Sequence, residues 1–298
     1  MFGYRKSFKS KKVREKRRKI LLIKTAVILT VFLVLMGLLA WLSSHQSMLI
    51  EEVKTEGNIV VTTQEITEIV NKNITGKYLW LFHKDNFLIY PKNQIKEEIE
   101  EKFKRLSKVN IYFDDFKSIL VSVDERNPYH TWCQKNEIIN LELPEDEVVE
   151  KNYSKDCYFV DETGYIFSKA PQFSGTAFFE FYTKTYKDEE EIVSTNVIGQ
   201  YVLEPQLFGR IVMLKNIIDD FGLKNISLVE KGDNDYEIFL EKGGKIIFNI
   251  DDDLEKSLNN LKVALETDAV NEDMKNNGAS LEYIDLRFGN KVFYRFDN

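Results

Sequence analysis

Histidine is scarce in this chain: His45, His83 and His130 are the only three in 298 residues. A Ser-His-Asp or Cys-His site would have to use one of them. His45 adjoins a long apolar run and His83 sits in a polar loop after an aromatic stretch. His130 lies three residues before Cys133, a spacing that puts the two on opposite faces of a strand. All three read as surface or partly buried side chains. The chain also lacks the glycine-rich phosphate and dinucleotide loops, the H-E-x-x-H and G-x-S-x-G motifs, and the S-x-x-K and K-T-G elements of cell-wall transpeptidases. No catalytic residue, metal ligand or cofactor site is assigned, and the expectation is a chain that is not an enzyme. Asp251-Asp252-Asp253 lacks the glycine and distal glutamate of a calcium loop, and Asp252 with Glu255 reads as a helix cap.

What is present is an uneven charge. Met1 to Lys24 holds 11 Lys/Arg against Glu15 alone, whereas the rest holds 30 basic and 47 acidic residues. An acidic body of that kind is a poor nucleic-acid binder. Between the two lies an uncharged run from Thr25 to Leu42, whose 18 residues would span about 27 Å as a helix, near the thickness of a bilayer core. Trp41 falls where an interfacial aromatic is favoured, and no A-x-A-like cleavage site follows. The expected organisation is a basic cytoplasmic tail (1–24), a transmembrane helix (25–43) contacting the lipid bilayer, and a large domain outside, oriented by the positive-inside rule. The basic stretch Lys9 to Lys19 suits orientation and anionic headgroups rather than nucleic acid.

The outer part is expected to be α+β. Residues 47–126 read strand, helix, helix, strand, strand. MLIEEVKTEGN is the first strand, and Thr62 with Glu65 caps a helix carrying Ile66, Ile69 and Val70. A second helix carries Ile95, Ile99, Phe103 and Leu106; Val109, Ile111, Phe113 and then Ile119, Val121, Val123 alternate as strands. Residues 127–298 read as a mostly antiparallel β domain with two helices. One helix runs from Pro205 to Gly222 with Leu207, Ile211, Leu214, Ile218 and Phe221 on a face; the other carries Leu254, Leu258, Leu261 and Leu265. FFEFYTKTY reads as a strand, and Lys184 to Glu191 as a solvated face or turn.

The order of these parts and several motifs resemble the FtsQ/DivIB family of bacterial division proteins. The motifs are IEEVKTEGN-IVVTTQEI, the VSVDERNPYHTWC junction, Tyr158 to Phe167 (YFVDETGYIF), and Tyr283-Ile284-Asp285-Leu286-Arg287-Phe288. An acidic segment from Lys135 to Lys155 and the two cysteines have no counterpart in the family pattern. The resemblance implies a POTRA domain over 47–126 and an FtsQ-type β domain over 127–298. It implies a non-catalytic scaffold in the cell (inner) membrane at the division septum, joining septal cell-wall synthesis to small coiled-coil partners of the FtsB/DivIC and FtsL type. The partner strand would add to the terminal segment, and the POTRA domain would contact other division proteins. The implied contact set is Tyr283, Asp285, Arg287, Phe288, Lys291, Phe293, Tyr294 and Arg295, with Arg287 offered to an acidic partner residue. Strand alternation turns Ile284, Leu286 and Phe288 to the core and Tyr283, Asp285 and Arg287 outward, and Gly289-Asn290 turns or bulges the chain before KVFYRF. By the family's hairpin order Cys133 and Cys157 would lie on neighbouring strands, within reach of a disulfide. The competing readings are a POTRA-bearing transport or secretion component, which would usually repeat the unit, and an anchored cell-wall hydrolase.

Overall fold

The structure, a computed structural model, describes residues 11–115, 117–134, 156–173, 177–184, 197–266 and 280–297. The acidic segment from Lys135 to Lys155 lies outside them, as does most of the stretch from Lys184 to Glu191. The chain divides into two units, Met1–Glu125 and Arg126–Asn298. The described residues form five α-helices, a large mostly antiparallel sheet and a smaller three-stranded one, an α+β architecture.

In the first unit, helix α1 (Lys11–Ser43) contains a segment, Arg14–Ser43, long and apolar enough to cross a membrane. The helix takes in the basic stretch from Lys11 rather than beginning at Thr25, because Lys and Arg are good helix formers with no breaker between them. Beyond it come β1 (Glu52–Glu56), α2 (Thr63–Ile74), a small hairpin of β2 (Lys77–Tyr78) and β3 (Phe82–His83), α3 (Lys92–Lys102), β4 (Leu106–Phe113) and β5 (Ser118–Glu125). The sheet order is β1-β5-β4, with β1 parallel and β4 antiparallel to β5. Ile66, Ile69, Val70, Ile95 and Ile99 from the helices meet Val109, Ile111, Ile119, Val121 and Val123 in one core. The Thr62–Glu65 capping box is present, with Glu65 N–H donating to Thr62 Oγ1 at 3.3 Å and Thr62 N–H to Glu65 Oε2 at 3.0 Å.

Three expectations here need correction. Strand β1 starts at Glu52, not Met48, because the preceding backbone bonds elsewhere: Ile50 N–H donates to Asp85 O, and Phe87 N–H to Met48 O. Helix α3 ends at Lys102, so Phe103 caps it and Leu106 opens β4. Phe113 is half exposed at the strand end, meeting Phe87 and Tyr90 edge-on.

The second unit contains β6 (His130–Cys133), β7 (Cys157–Val160), β8 (Ile166–Lys169), β9 (Glu180–Tyr182), α4 (Pro205–Asp220), β10 (Asn225–Gly232), β11 (Asp235–Leu240), β12 (Lys245–Asn249), α5 (Leu254–Glu266), β13 (Ser280–Phe288) and β14 (Lys291–Asp297). They form a nine-stranded sheet ordered β14-β13-β12-β11-β10-β9-β6-β7-β8. Helix α4 connects the parallel pair β9–β10 and α5 the parallel pair β12–β13. Parallel neighbours need such crossovers, whereas the hairpin pairs do not. The helices bury Phe208, Ile211, Leu214 and Ile218, and Leu254, Leu258, Leu261 and Leu265, with Phe181, Leu228, Ile238, Ile246, Phe248, Ile284 and Leu286 in the same core.

On α4 the buried face includes Phe208, whereas Leu207 and Phe221 are only partly buried. Phe208 is drawn in by Gly164, whose φ is +87° and where a Cβ would come within 2.8 Å of the ring. The cap of α5 lies one residue later than expected: Lys256 N–H donates to Asp253 Oδ1 at 3.2 Å. His130 is fully buried rather than superficial, ringed by Tyr129, Phe179, Phe181 and Phe208.

The family-like motifs meet one another in this unit. Arg126, from the ERNP passage, pairs with Asp161 of the VDETG turn and lies 4.2 Å over the Tyr165 ring. Asp161 Oδ1 in turn accepts from Thr163 N–H at 2.9 Å and Tyr165 N–H at 3.0 Å, closing the turn. Those residues serve the fold.

Candidate partner-binding edge

Nine strands in an open sheet leave two edges, and the two differ. At β8 the start of the edge is paired by the segment preceding α4: Ile166 N–H donates to Gln200 O at 2.9 Å, Gly199 N–H to Ile166 O at 2.8 Å, and Tyr165 bridges Tyr201. At the other end β14 pairs with β13 alone among the described residues. A strand edge of this kind presents a row of backbone donors and acceptors.

The hairpin that presents it is built from the terminal 18 described residues. Strand β13 is anchored by Ile284 and Leu286, both buried, and by its parallel pairing with β12. Gly289, at φ +66°, makes the turn, and Asn260 from α5 donates to its carbonyl at 2.7 Å. In β14, Val292 and Phe296 pack against the core while Lys291, Phe293, Tyr294 and Arg295 are exposed. Phe288 and Phe293 stack edge-to-face at 4.9 Å across the turn, and Arg295 pairs with Glu282 at 2.7 Å.

The alternation expected along β13 fails at two residues. Phe288 is 54% exposed rather than inward, because pairing is irregular between Asp285 and Phe288 and the two-residue period is lost there. Asp285 is buried, 5% exposed, rather than outward. The Arg287 guanidinium engages it through Nε to Oδ1 at 2.9 Å and a terminal nitrogen to Oδ2 at 2.6 Å, while another nitrogen reaches Asp235 at 2.6 Å. Arg287 is therefore held within its own sheet instead of being offered to a partner. The hydrogen bonds to Asp285 raise its pKa further above the usual range, so its charge is permanent. Tyr283 is half-buried. Of the eight residues implied as contacts, Phe288, Lys291, Phe293, Tyr294 and Arg295 are exposed, Arg287 is exposed but engaged by Asp285 and Asp235, Tyr283 is half-buried and Asp285 is buried.

Sequence reasoning missed Asp235 and Asn260, which fix the hairpin. They lie 52 residues from Arg287 and 29 from Gly289, respectively. Pairings at that distance leave no local periodic signal.

Farther along the sheet Cys133 stands opposite Cys157 in the β6–β7 register, and the two are joined in a disulfide. Glu180 places a carboxylate oxygen near both sulfurs, but with the thiols bonded to each other that cluster lacks free thiolates. No known family model matches the chain, and no curated protein matches it.

Proposed function

We propose that the chain is a membrane-anchored, non-catalytic scaffold that captures an extended segment of a partner by adding it as a tenth strand alongside β14. The observation that carries this reading is the asymmetry of the sheet: one edge is paired at its start by the chain itself, while the other has no further strand beside it among the described residues and carries exposed Phe288, Phe293 and Tyr294. Main-chain bonds along such an edge supply affinity, and the side chains along it supply selectivity. An apolar edge left uncovered would be an aggregation hazard.

The resemblance to FtsQ/DivIB specifies the reading further. The unit ending at Glu125, with its small β2–β3 hairpin between the two helices, would be the POTRA domain, the second unit the partner-binding β domain, and the partners coiled-coil division proteins of the FtsB/DivIC and FtsL type. The Arg126–Asp161 pairing supports it, because two separately resembling motifs converge on one contact. With the basic end in the cytoplasm, the part of the first unit beyond α1 and the whole second unit would stand outside the cell membrane at the septum.

Retention of partners by the full chain, captured in detergent and identified by mass spectrometry, tests the reading. Deleting Lys291 to Asn298 should abolish retention of the coiled-coil partner. A deletion variant that keeps its circular dichroism and still retains that partner at full strength would place docking elsewhere.

A further inference from the structure

The first unit carries a second exposed apolar feature, at the tip of its small hairpin. The loop between β2 and β3 is Leu79-Trp80-Leu81, and all three are exposed, Leu79 by 79% and Trp80 by 93%. Leu79 and Trp80 adopt φ of +48° and +62°. Glycine or asparagine occupies that left-handed region readily, while a bulky side chain is strained there. A turn that holds Leu and Trp in this conformation and exposes both to solvent has no packing benefit within the unit to offset the strain.

The hairpin is attached to the end of α1. His83 N–H donates to Ser43 Oγ at 3.2 Å, and Asn86 Nδ2, buried, donates to Ser43 O at 3.2 Å. The loop residues lie two to four positions from His83, so they are within about 13 Å of that residue, which is itself bonded to the helix end. Trp41, the last aromatic of the apolar helix, is exposed and two residues before Ser43. The polar headgroup zone adds about 6–7 Å on each side of the hydrocarbon. Lys77 is exposed beside the loop, and Lys84 lies 5.5 Å over the Tyr78 ring. An aromatic and two leucines flanked by lysines match the headgroup layer, where Trp is favoured and cations meet phosphates.

We propose that the β2–β3 loop is a second membrane contact, inserting Leu79, Trp80 and Leu81 into the headgroup layer of the leaflet at which α1 emerges. The inference rests on α1 being a membrane anchor. Its consequence is that the first unit is held close to the bilayer by two points, α1 and the loop.

Tryptophan quenching separates this inference from the reading on which it rests. The full chain is placed in vesicles of phosphatidylcholine and phosphatidylglycerol containing phosphatidylcholine brominated near the acyl carbonyl. Trp41→Phe leaves Trp80 with Trp132, Trp80→Phe leaves Trp41 with Trp132, and the double variant gives the Trp132 baseline. Both Trp41 and Trp80 emission should fall in brominated vesicles while the baseline holds. Quenching of Trp41 without Trp80 overturns the loop contact and leaves the anchor standing. Quenching of neither removes the anchor, and the proposal with it. Trp80 shielded from both bromolipid and aqueous iodide would mean a protein covers the loop, which also overturns it.

Discussion

At the scale of single residues, the informative side chains are charged groups withdrawn from water. Glu125 ends β5 and accepts three backbone bonds through one oxygen, from Ile59 at 2.7 Å, Val60 at 2.8 Å and Val61 at 2.9 Å. Burial works to raise its pKa, but the three N–H groups outweigh it and hold the carboxyl below its ordinary value. Without the carboxylate the exposed Ile59 and Val60 would turn to water, and the loop that leads into α2 would lose its tie to β5. Arg287 and Asp285 make the comparable arrangement in the second unit, and the geometry decides which role they have. Arg287→Ala leaves a buried carboxylate without its two-point contact, which costs on the order of 2–4 kcal/mol, less than a fully enclosed pair because the arginine is partly exposed. The thermal midpoint of the second unit should fall in the isolated full chain, with no partner present. An unchanged midpoint in scanning calorimetry would show that Arg287 is not a structural residue, and would return it to the partner surface.

At the scale of elements, β14 carries the function proposed here, and its geometry supports a sharper experiment than deletion. Successive N–H groups along a strand point to opposite sides, so of two adjacent residues one donates towards β13 and the other towards the outer edge. Proline at Phe293 and at Tyr294, made separately, should therefore behave differently: one breaks the β13–β14 ladder and destabilises the hairpin, the other removes only an outward donor. The second variant should keep its thermal midpoint and lose the partner. If both keep the partner, strand addition at β14 is wrong. That β14 is a terminal strand was legible in the alternation and the Gly289-Asn290 turn, and the helices were legible where spacing and caps agreed, as at Thr62–Glu65 and along Leu254 to Leu265. The boundaries failed where a helical spacing ran on past the helix. Leu106 follows Phe103 by three residues, as a helix would have it, and its N–H still turns back to Phe103 O at 2.9 Å, yet β4 claims it because it stands opposite Glu125 and the residues after it pair with β5. The contact set failed for another reason. Strict alternation puts Asp285 outside, and only the remote Asp235 together with the irregular pairing before Phe288 puts it and Arg287 into a closed network.

At the scale of the whole molecule, the two units differ in how acid should affect them, and the difference traces to His130. Its two ring nitrogens have no hydrogen-bond partner among the described residues, and burial, assisted by the nearby positive charge of Lys215, lowers its pKa to about 4 from 6.5. Between those values the unfolded chain binds a proton that the folded unit refuses. The contribution of His130 to the stability of the second unit is thus fully present above pH 6.5, declines as pH falls through that window, and levels off below about 4. The depressed groups of the first unit are carboxylates: Glu65 and Glu98 by side-chain hydrogen bonds, Asp115 by the Lys117 N–H, and Glu125 by its three amides against the opposing effect of burial. Their contribution is present above the ordinary carboxylate pKa and is lost only as pH falls through the lower folded values. Glu237 in the second unit follows the same rule, with burial opposed by Lys245 and Lys231. Between pH 7 and 5, then, the histidine acts on the second unit alone, to the extent of about 2 kcal/mol, or about 4–8 °C in midpoint for a unit of this size. Trp132, buried in the second unit, reports its melting in the variant lacking Trp41 and Trp80. That midpoint should drop by this amount from pH 7 to 5, and His130→Leu should flatten the dependence by replacing an unpartnered imidazole with an apolar side chain of similar volume. A midpoint insensitive to pH across that window, or a dependence that survives His130→Leu, would mean that the imidazole is hydrated or otherwise partnered in solution and does not set the acid response.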